Sequence, residues 1–247
     1  MRRVNKRLKF AMTHLGISIC VGLLLVCLVF FLWYPSPLNQ ATGVLNIFLM
    51  MLFIDIILGP FLSWFVYSEG KKTLVFDLII IIALQISALA YGVYNIMQAR
   101  PVWIVYSVDR FDLIRYNEIY NKNIVHASHE FRQPSWFKPQ YVATQFSVDL
   151  KQRETEMFEA VFKGIDVSQR PERYVPLDKV KKQIQQRAQN LNILNQFNDK
   201  ALVEKTLSNY PQATAFVPLK ANAVDMTVLI NKEKGEVVKI VDLRPWK

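Results

Sequence analysis

The chain has very little cysteine and none of the short motifs that mark common catalytic sites. Its 247 residues include only two cysteines, Cys20 and Cys27. A spacing of seven residues places them on one face of a helix but too far apart to form a disulfide with each other. The rest of the chain must therefore fold on its hydrophobic core alone. No glycine-rich phosphate loop, nucleophile elbow or zinc-protease helix appears, so we expect no catalytic residues, no cofactor and no enzyme activity.

Three long apolar runs dominate the first 100 residues. They are residues 15–34, 45–67 and 78–97. At a rise of about 1.5 Å per residue, each is long enough as a helix to cross roughly 30 Å of hydrocarbon. A backbone at membrane depth must satisfy its own hydrogen bonds, so each run predicts a transmembrane helix. The lipid bilayer is therefore the expected surroundings of this part of the chain.

The first run differs from a cleaved signal peptide. It is longer than the roughly 7–15 apolar residues of a secretory signal. It ends in aromatic and proline residues between Phe30 and Pro37, without a small-x-small cleavage pattern. We therefore expect the run to be kept as a span, preceded by a basic amino terminus at residues 1–14.

The basic residues near the spans predict the orientation of the chain. Residues 35–44 carry none, the next loop carries Lys71 and Lys72, and only Arg100 closely follows the third span. The basic residues before the first span are Arg2, Arg3, Lys6, Arg7 and Lys9. Short loops rich in lysine and arginine stay in the cytoplasm, so the amino terminus and the second loop are predicted there. Three crossings leave residues 101–247 on the far side.

The net charge of +10 is partly explained by this topology. Residues 101–247 hold 22 of the 30 basic and 17 of the 20 acidic residues, a net charge of +5. The other half of the net positive charge lies in residues 1–100, where basic residues beside the spans determine their orientation. We therefore expect no nucleic-acid partner.

Residues 101–247 have the size and pattern of a single α+β domain. Strand-like segments lie at both ends, with helical segments between them. The predicted strands are residues 102–108, 113–116, 141–148 and 216–219 and the hairpin of residues 226–230 and 237–243; the predicted helices begin after Asp149, Pro176 and Asp199, the second running through Leu191. The apolar residues of the first helix are predicted to share one face; they are Leu150, Met157, Phe158, Val161 and Phe162. The expected fold is three transmembrane α-helices followed by this domain.

Asp55 is the most informative single residue, because it lies near the middle of the second span, where an ionised carboxylate is costly. Gln85 and Ser87 lie at matching depth on the third span. Asp55 is expected either to hold these two spans together, which we favour, or to grip the transmembrane helix of a partner. A role in proton transfer is the least favoured hypothesis, because a single acid in three spans does not provide a path for protons.

Gly59-Pro60 interrupts the same span four residues later. Proline has no N–H, so Pro60 is expected to free the carbonyl of Ile56, close to Asp55. Such breaks persist in lipid where neighbours satisfy the backbone again. Asp55, Gly59 and Pro60 are therefore predicted to form a helix-packing notch or a docking groove.

Other polar residues have ordinary explanations beside functional ones. Asp77, in the first turn of the third span, is expected to complement the helix dipole. His126 and His129 suggest a metal site, but no third ligand has a recognisable spacing, so we expect no metal. The segment Asp109-Arg110-Phe111-Asp112 is predicted to be a turn. Its two aspartates suggest an interaction site more than catalysis, since acids are common in turns.

An ordered set of short blocks covers most of the first 115 residues and the last few. The blocks are His14 to Ser18, Phe30 to Pro35, Asp55 to Pro60, Gly70 to Lys72, Phe76 to Leu78, Ala90 to Tyr94, Arg100 to Trp103, Val108 to Asp112 and Val241 to Trp246. The set is specific only when taken together, and it resembles the type IV pilin accessory proteins, the TfpX/TfpZ family.

The resemblance implies a multi-pass protein of a bacterial inner membrane that assists type IV pilus assembly, with the domain of residues 101–247 in the periplasm. The implied partner is the major pilin, and no catalytic residues carry over. We expect the chain to bind the hydrophobic helix of pilin near Asp55 and Pro60 and the pilin head through its domain. Two alternatives are a membrane enzyme that modifies pilin, such as a glycosyltransferase, and a sensor with a periplasmic ligand. The oligomeric state is not indicated by the sequence.

Overall fold

The computed structural model describes residues 6–247 and divides them into two compact units. The helical unit consists of residues 6–32 and Val44–Gln98, and the C-terminal domain consists of Trp33–Gly43 and Ala99–Lys247. Arg2 and Arg3 of the basic amino terminus lie outside the described residues. The loop between the first two spans therefore belongs to the C-terminal domain and not to the helices on either side of it.

Three helical stretches are long and apolar enough to cross a membrane, which confirms the expected three-helix anchor. The second is not a regular α-helix, because it winds as a π-helix in its middle. The elements are α1 (Lys6–Cys27) with a π-helical continuation (Leu28–Trp33), the loop helix α2 (Leu38–Ala41), α3 (Val44–Phe53), the π-helical turn Ile54–Leu58, α4 (Gly59–Val66) and α5 (Leu74–Gln98).

The C-terminal domain is built on one mixed seven-stranded sheet, so the expected α+β class is confirmed. The strands are β1 (Pro101–Ser107), β2 (Arg110–Arg115), β3 (Gln140–Thr144), β4 (Tyr174–Val175), β5 (Ala215–Lys220), β6 (Met226–Asn231) and β7 (Glu236–Val241). Their order across the sheet is β4-β3-β1-β2-β5-β6-β7. The pairs β1–β3 and β2–β5 are parallel, and the other neighbours are antiparallel. The terminal hairpin that the sequence predicts is formed by β6 and β7.

Three helices of the domain begin close to their predicted positions: α6 (Leu150–Lys163), α7 (Lys181–Arg187) and α8 (Lys200–Ser208). Asp149 and Asp199 cap α6 and α8 by accepting a backbone N–H, as residues of this type favour. The prediction that the helix after Pro176 runs through Leu191 is wrong. It ends at Arg187, because the backbone of Gln189 pairs with Phe216 of β5 instead, with N–H···O distances of 2.8 and 3.0 Å.

Both faces of the sheet are covered by apolar packing. Alternate side chains of β1 point to opposite faces, as strand geometry requires. Ile104 and Tyr106 join a core with Ile184 of α7, whereas Trp103 and Val105 join a second core on the other side. This double coverage explains why all seven residues of β1 are buried.

The loop between the first two spans contributes to the first of these cores. Leu38 and Ala41 are 3% and 0% exposed and belong to the same cluster as Ile104. The carbonyl of Ala41 accepts hydrogen bonds from the backbone N–H groups of Ala223 and Val224, at 2.9 and 3.2 Å. The loop is therefore a folded part of the domain, and both must lie on the same side of a membrane.

Leu38→Ala tests how firmly the loop is held. Removing a buried leucine side chain leaves a cavity and costs about 2–5 kcal/mol, so the C-terminal domain should become less stable. Hydrogen exchange of the β5 and β6 amides, measured on the whole chain in detergent, should accelerate. The matched control Gln40→Ala changes an exposed residue of the same helix and should leave the exchange unchanged. Equal exchange in both variants would contradict the packing of the loop.

Candidate functional site

A polar cluster lies inside the helical unit and joins all three spans. The side-chain nitrogen of Gln85 on α5 donates to the backbone carbonyl of Asp55 at 2.8 Å and to the hydroxyl of Ser18 on α1 at 3.2 Å. Asp55 itself is buried. One amide thus bridges three helices in a region where water is absent.

The winding of the second span explains why the carbonyl of Asp55 needs a partner. In a π-helix a carbonyl pairs with the N–H five residues later. For Asp55 that residue is Pro60, which has no N–H. The sequence predicted an unpaired carbonyl at Ile56, as an α-helix would leave. Because of the π-helical turn, the carbonyl without a backbone donor is that of Asp55, and the side chain of Gln85 donates to it.

Gly59 provides the space that Gln85 occupies. A Cβ atom at Gly59 would lie 2.5 Å from the side-chain carbon Cδ of Gln85, well inside van der Waals contact. Gly59 and Pro60 are both buried. The predicted notch is therefore present, and a side chain of the same protein fills it.

A second polar contact between spans was missed by the sequence analysis. The ring nitrogen Nδ1 of His14 on α1 lies 2.8 Å from the hydroxyl of Ser63 on α4, and Ser63 is fully buried. From the sequence, His14 at the head of the first span is expected only to lie at the membrane interface. The signal that would have found it is its helical alignment with Ser18, four residues along on the same face.

The remaining intramembrane candidates lie away from this cluster. Ser87 is exposed on α5 and is not joined to Asp55. Asp77 lies in the first turn of α5, where it accepts a hydrogen bond from Thr73 at 3.1 Å and pairs with Lys71 at 2.7 Å. These contacts suit the predicted capping role.

The prediction that Asp109-Arg110-Phe111-Asp112 forms a turn is wrong beyond its first residue, because Arg110, Phe111 and Asp112 belong to β2. Phe111 is fully buried and belongs to the sheet. Asp109 is exposed, whereas Asp112 is largely buried and pairs with Arg110 at 3.3 Å. Burial raises the pKa of Asp112 above its ordinary value, against the opposing effect of Arg110. Both aspartates line a groove of about 320 Å³ between this turn and α6.

Helix α6 is attached to the domain by charges and not by its apolar residues. Glu159 pairs with the buried Arg170 at 2.6 Å, and Glu156 pairs with Arg173 at 2.5 Å. The two glutamates are the buried residues of the helix. The apolar residues that the sequence placed on one shared face are exposed; they are Leu150, Met157, Phe158, Val161 and Phe162.

The histidines His126 and His129 lie in separate short 3₁₀ turns. Among residues 6–247 no group of three or more histidine, cysteine, aspartate or glutamate side chains is placed to hold a metal ion.

Comparison with known proteins identifies the family of the chain. Two fimbrial assembly proteins of Dichelobacter nodosus, of serogroups I and E1, are each 33% identical to the chain over 235 residues, covering 91% of this chain and 90% of each relative. The chain belongs to the fimbrial assembly protein family. This confirms the resemblance to type IV pilus accessory proteins. The family model for the fimbrial assembly protein FimB matches residues 2–43.

A further member of the fimbrial assembly family, of serogroups C1 and C2 of the same organism, is 37% identical over 114 residues. That match covers 45% of this chain and 86% of the relative. No solved structure matches the chain.

Gly59→Ala tests the polar cluster of this family member. The added methyl group should displace the Gln85 side chain and break both of its hydrogen bonds. Interhelical hydrogen bonds in membranes contribute about 0.6–2 kcal/mol each, so the helical unit should lose about 1–3 kcal/mol of stability. Thermal denaturation in detergent measures the loss. Gly16→Ala on α1, where a Cβ meets no atom within 4 Å, is the matched control. If the two variants have the same melting temperature, the cluster does not stabilise the packing of the helices.

Acidification tests the attachment of α6. The Arg170 and Lys163 side chains lower the pKa of Glu159 below its ordinary value of 4.5. Its contribution to folding is therefore complete above pH 4.5 and is lost as the pH falls through the lowered folded-state pKa. Hydrogen exchange of α6 should rise in that acidic range and stay constant from pH 5 to 7. In Glu159→Gln, α6 should exchange faster already at pH 7. A wild-type helix unaffected by acid would disprove its attachment by charge.

Proposed function

We propose that the chain is an inner-membrane accessory protein that assists type IV pilus assembly by binding pilin, without chemistry of its own. Its membership of the fimbrial assembly family along 91% of its length carries this proposal. The relatives are named for fimbrial assembly and not for a chemical reaction. The polar residues of the helical unit are engaged in packing, which suits a scaffold.

The proposed orientation has the amino terminus and the loop around Lys71 and Lys72 in the cytoplasm. The loop Trp33–Gly43 and the C-terminal domain then lie together in the periplasm. The number of basic residues beside each span supports this orientation. The incorporation of the loop into the domain supports the number of crossings, since three crossings place both on one side whichever way the chain is oriented.

Pilin is expected to meet α5 within the membrane. Asp55, Gly59, Pro60 and Gln85 are engaged inside the helical unit, whereas Ser87 is exposed on α5. Ile96 is the one buried residue of α5, so most of this helix is accessible. Serine and other small residues favour close helix association in lipid. We therefore place the contact with the pilin helix on the face of α5 that carries Ser87.

Site-directed photo-crosslinking in piliated cells tests this contact. A photoreactive residue at Ser87 should give an adduct of the mass of the chain plus pilin, because the pilin helix lies against it. The control position is Leu24 on α1, which is 72% exposed and should give less adduct. Absence of a pilin adduct, together with unchanged pilus display after deletion of the chain, would refute the proposal.

The mass of pilin distinguishes an accessory protein from an enzyme. Deletion of the chain should lower the amount of pilus displayed and leave the intact mass of pilin unchanged, because no group is transferred. Mass spectrometry of pilin from deletion and wild-type strains measures this. A pilin that loses a defined mass in the deletion strain would show that the chain, or an activity that depends on it, modifies pilin.

A further inference from the structure

The apolar face of α6 is a large exposed surface for a helix of a folded domain. Phe158, Val161 and Phe162 are 64%, 78% and 75% exposed, and the rings of Phe158 and Phe162 stack with centroids 5.6 Å apart. Val148, just before the helix, is 99% exposed. Contiguous apolar surface of this kind marks interaction sites on folded proteins.

This face continues into the groove beside the turn between β1 and β2. Met157 belongs to both, since it is exposed on α6 and lines the groove, whose apolar wall also includes Val108 and Phe146. Val108 is exposed and has a φ of +60°, which is strained for a β-branched residue. Its carbonyl accepts hydrogen bonds from Tyr106 and Gln183, both at 3.2 Å. The fold thus holds a strained turn that presents an apolar side chain at the groove.

Carboxylates outnumber arginines in the lining of the groove. Asp109, Asp112, Glu156 and Asp166 line it together with Arg110 and Arg153, and Arg153 lies over the ring of Phe146. Asp112 and Glu156 have arginine partners. Among the described residues, the exposed Asp109 and Asp166 form no ion pair. The groove therefore combines apolar walls with two carboxylates open to a cationic group.

These charges decide between a lipid surface and a protein. Glu154 lies one helical turn from both Leu150 and Phe158, in the middle of the apolar face. A carboxylate in that position is costly in hydrocarbon, and the exposed Asp109 and Asp166 beside it disfavour anionic headgroups. A polypeptide segment with a lysine or arginine beside large apolar side chains complements both surfaces. Its basic group can pair with the carboxylates of the groove while its apolar side chains pack on the face of α6.

We infer that the exposed face of α6 and the adjoining groove form a docking surface for a basic and apolar segment of a partner protein. On the proposed function, on which this assignment of the partner rests, the segment belongs to the part of pilin outside the membrane. The basic side chain lies between Asp109 and Asp166, and the apolar side chains pack on Met157 and Phe158.

The experiment places a photoreactive residue at Phe158 or Phe162 of the whole chain in piliated cells, with Lys200 of α8 as an exposed control position. The expected result is a pilin adduct at the two α6 positions and none at Lys200. Asp109→Lys, and separately Asp166→Asn, should lower the adduct about two- to fivefold each. Asn keeps the capping role of Asp166. Glu204→Gln, an exposed acid away from the groove, should have no effect.

Crosslinking at Ser87 is measured in the same variants, because it reports insertion and folding. A pilin adduct at Ser87 with none at Phe158 or Phe162 overturns the docking surface and leaves the proposed function standing. Adducts at α6 made only with lipid or with a second copy of the chain also overturn it. An adduct that Asp109→Lys and Asp166→Asn leave unchanged overturns the role of the acidic groove. Absence of pilin adducts at all three positions, Ser87 included, refutes the proposed function as well.

Discussion

The backbone hydrogen bonds of Ala41 hold the loop between the first two spans within the C-terminal domain. They join the loop between the first two spans to the segment before β6, while Leu38 fills the core of the domain. A buried carbonyl without such partners is costly, so the loop and the domain stabilise each other. The domain is consequently attached to the spans by three chain segments. The FimB family model matches residues 2–43, which are the first span and this loop.

A second constraint acts inside the lipid, where every backbone carbonyl requires a donor. Pro60 has no backbone N–H to donate within the second span. The side-chain amide of Gln85 on the third span donates to the carbonyl of Asp55 instead. The space for this contact comes from Gly59. The features that looked like a docking groove in the sequence are therefore the means by which the three helices hold one another. On the proposed function, the pilin helix meets the exposed side of α5, which carries Ser87.

Elements with strong local signals were predictable. The three apolar runs, the caps at Asp149 and Asp199 and the terminal hairpin all follow from periodicity and capping chemistry within a short segment. Features that depend on distant residues were not. The helix after Pro176 ends early because Gln189 pairs with Phe216, and α2 is buried because its partners lie near residue 223. The shared apolar face of α6 was read correctly, but only the structure shows that Glu156 and Glu159 are the buried side and that the apolar side is exposed.

We propose that the loop and the C-terminal domain lie together in the periplasm. Single cysteines at Gln40 and Lys200, both exposed, test it in a chain whose own Cys20 and Cys27 are replaced by serine. A membrane-impermeant thiol reagent, applied to cells with a permeabilised outer membrane, should label both positions and leave a cysteine at Glu69 unlabelled until lysis. Labelling of only one of the first two positions, or of neither while the cysteine at Glu69 reacts, would contradict the account.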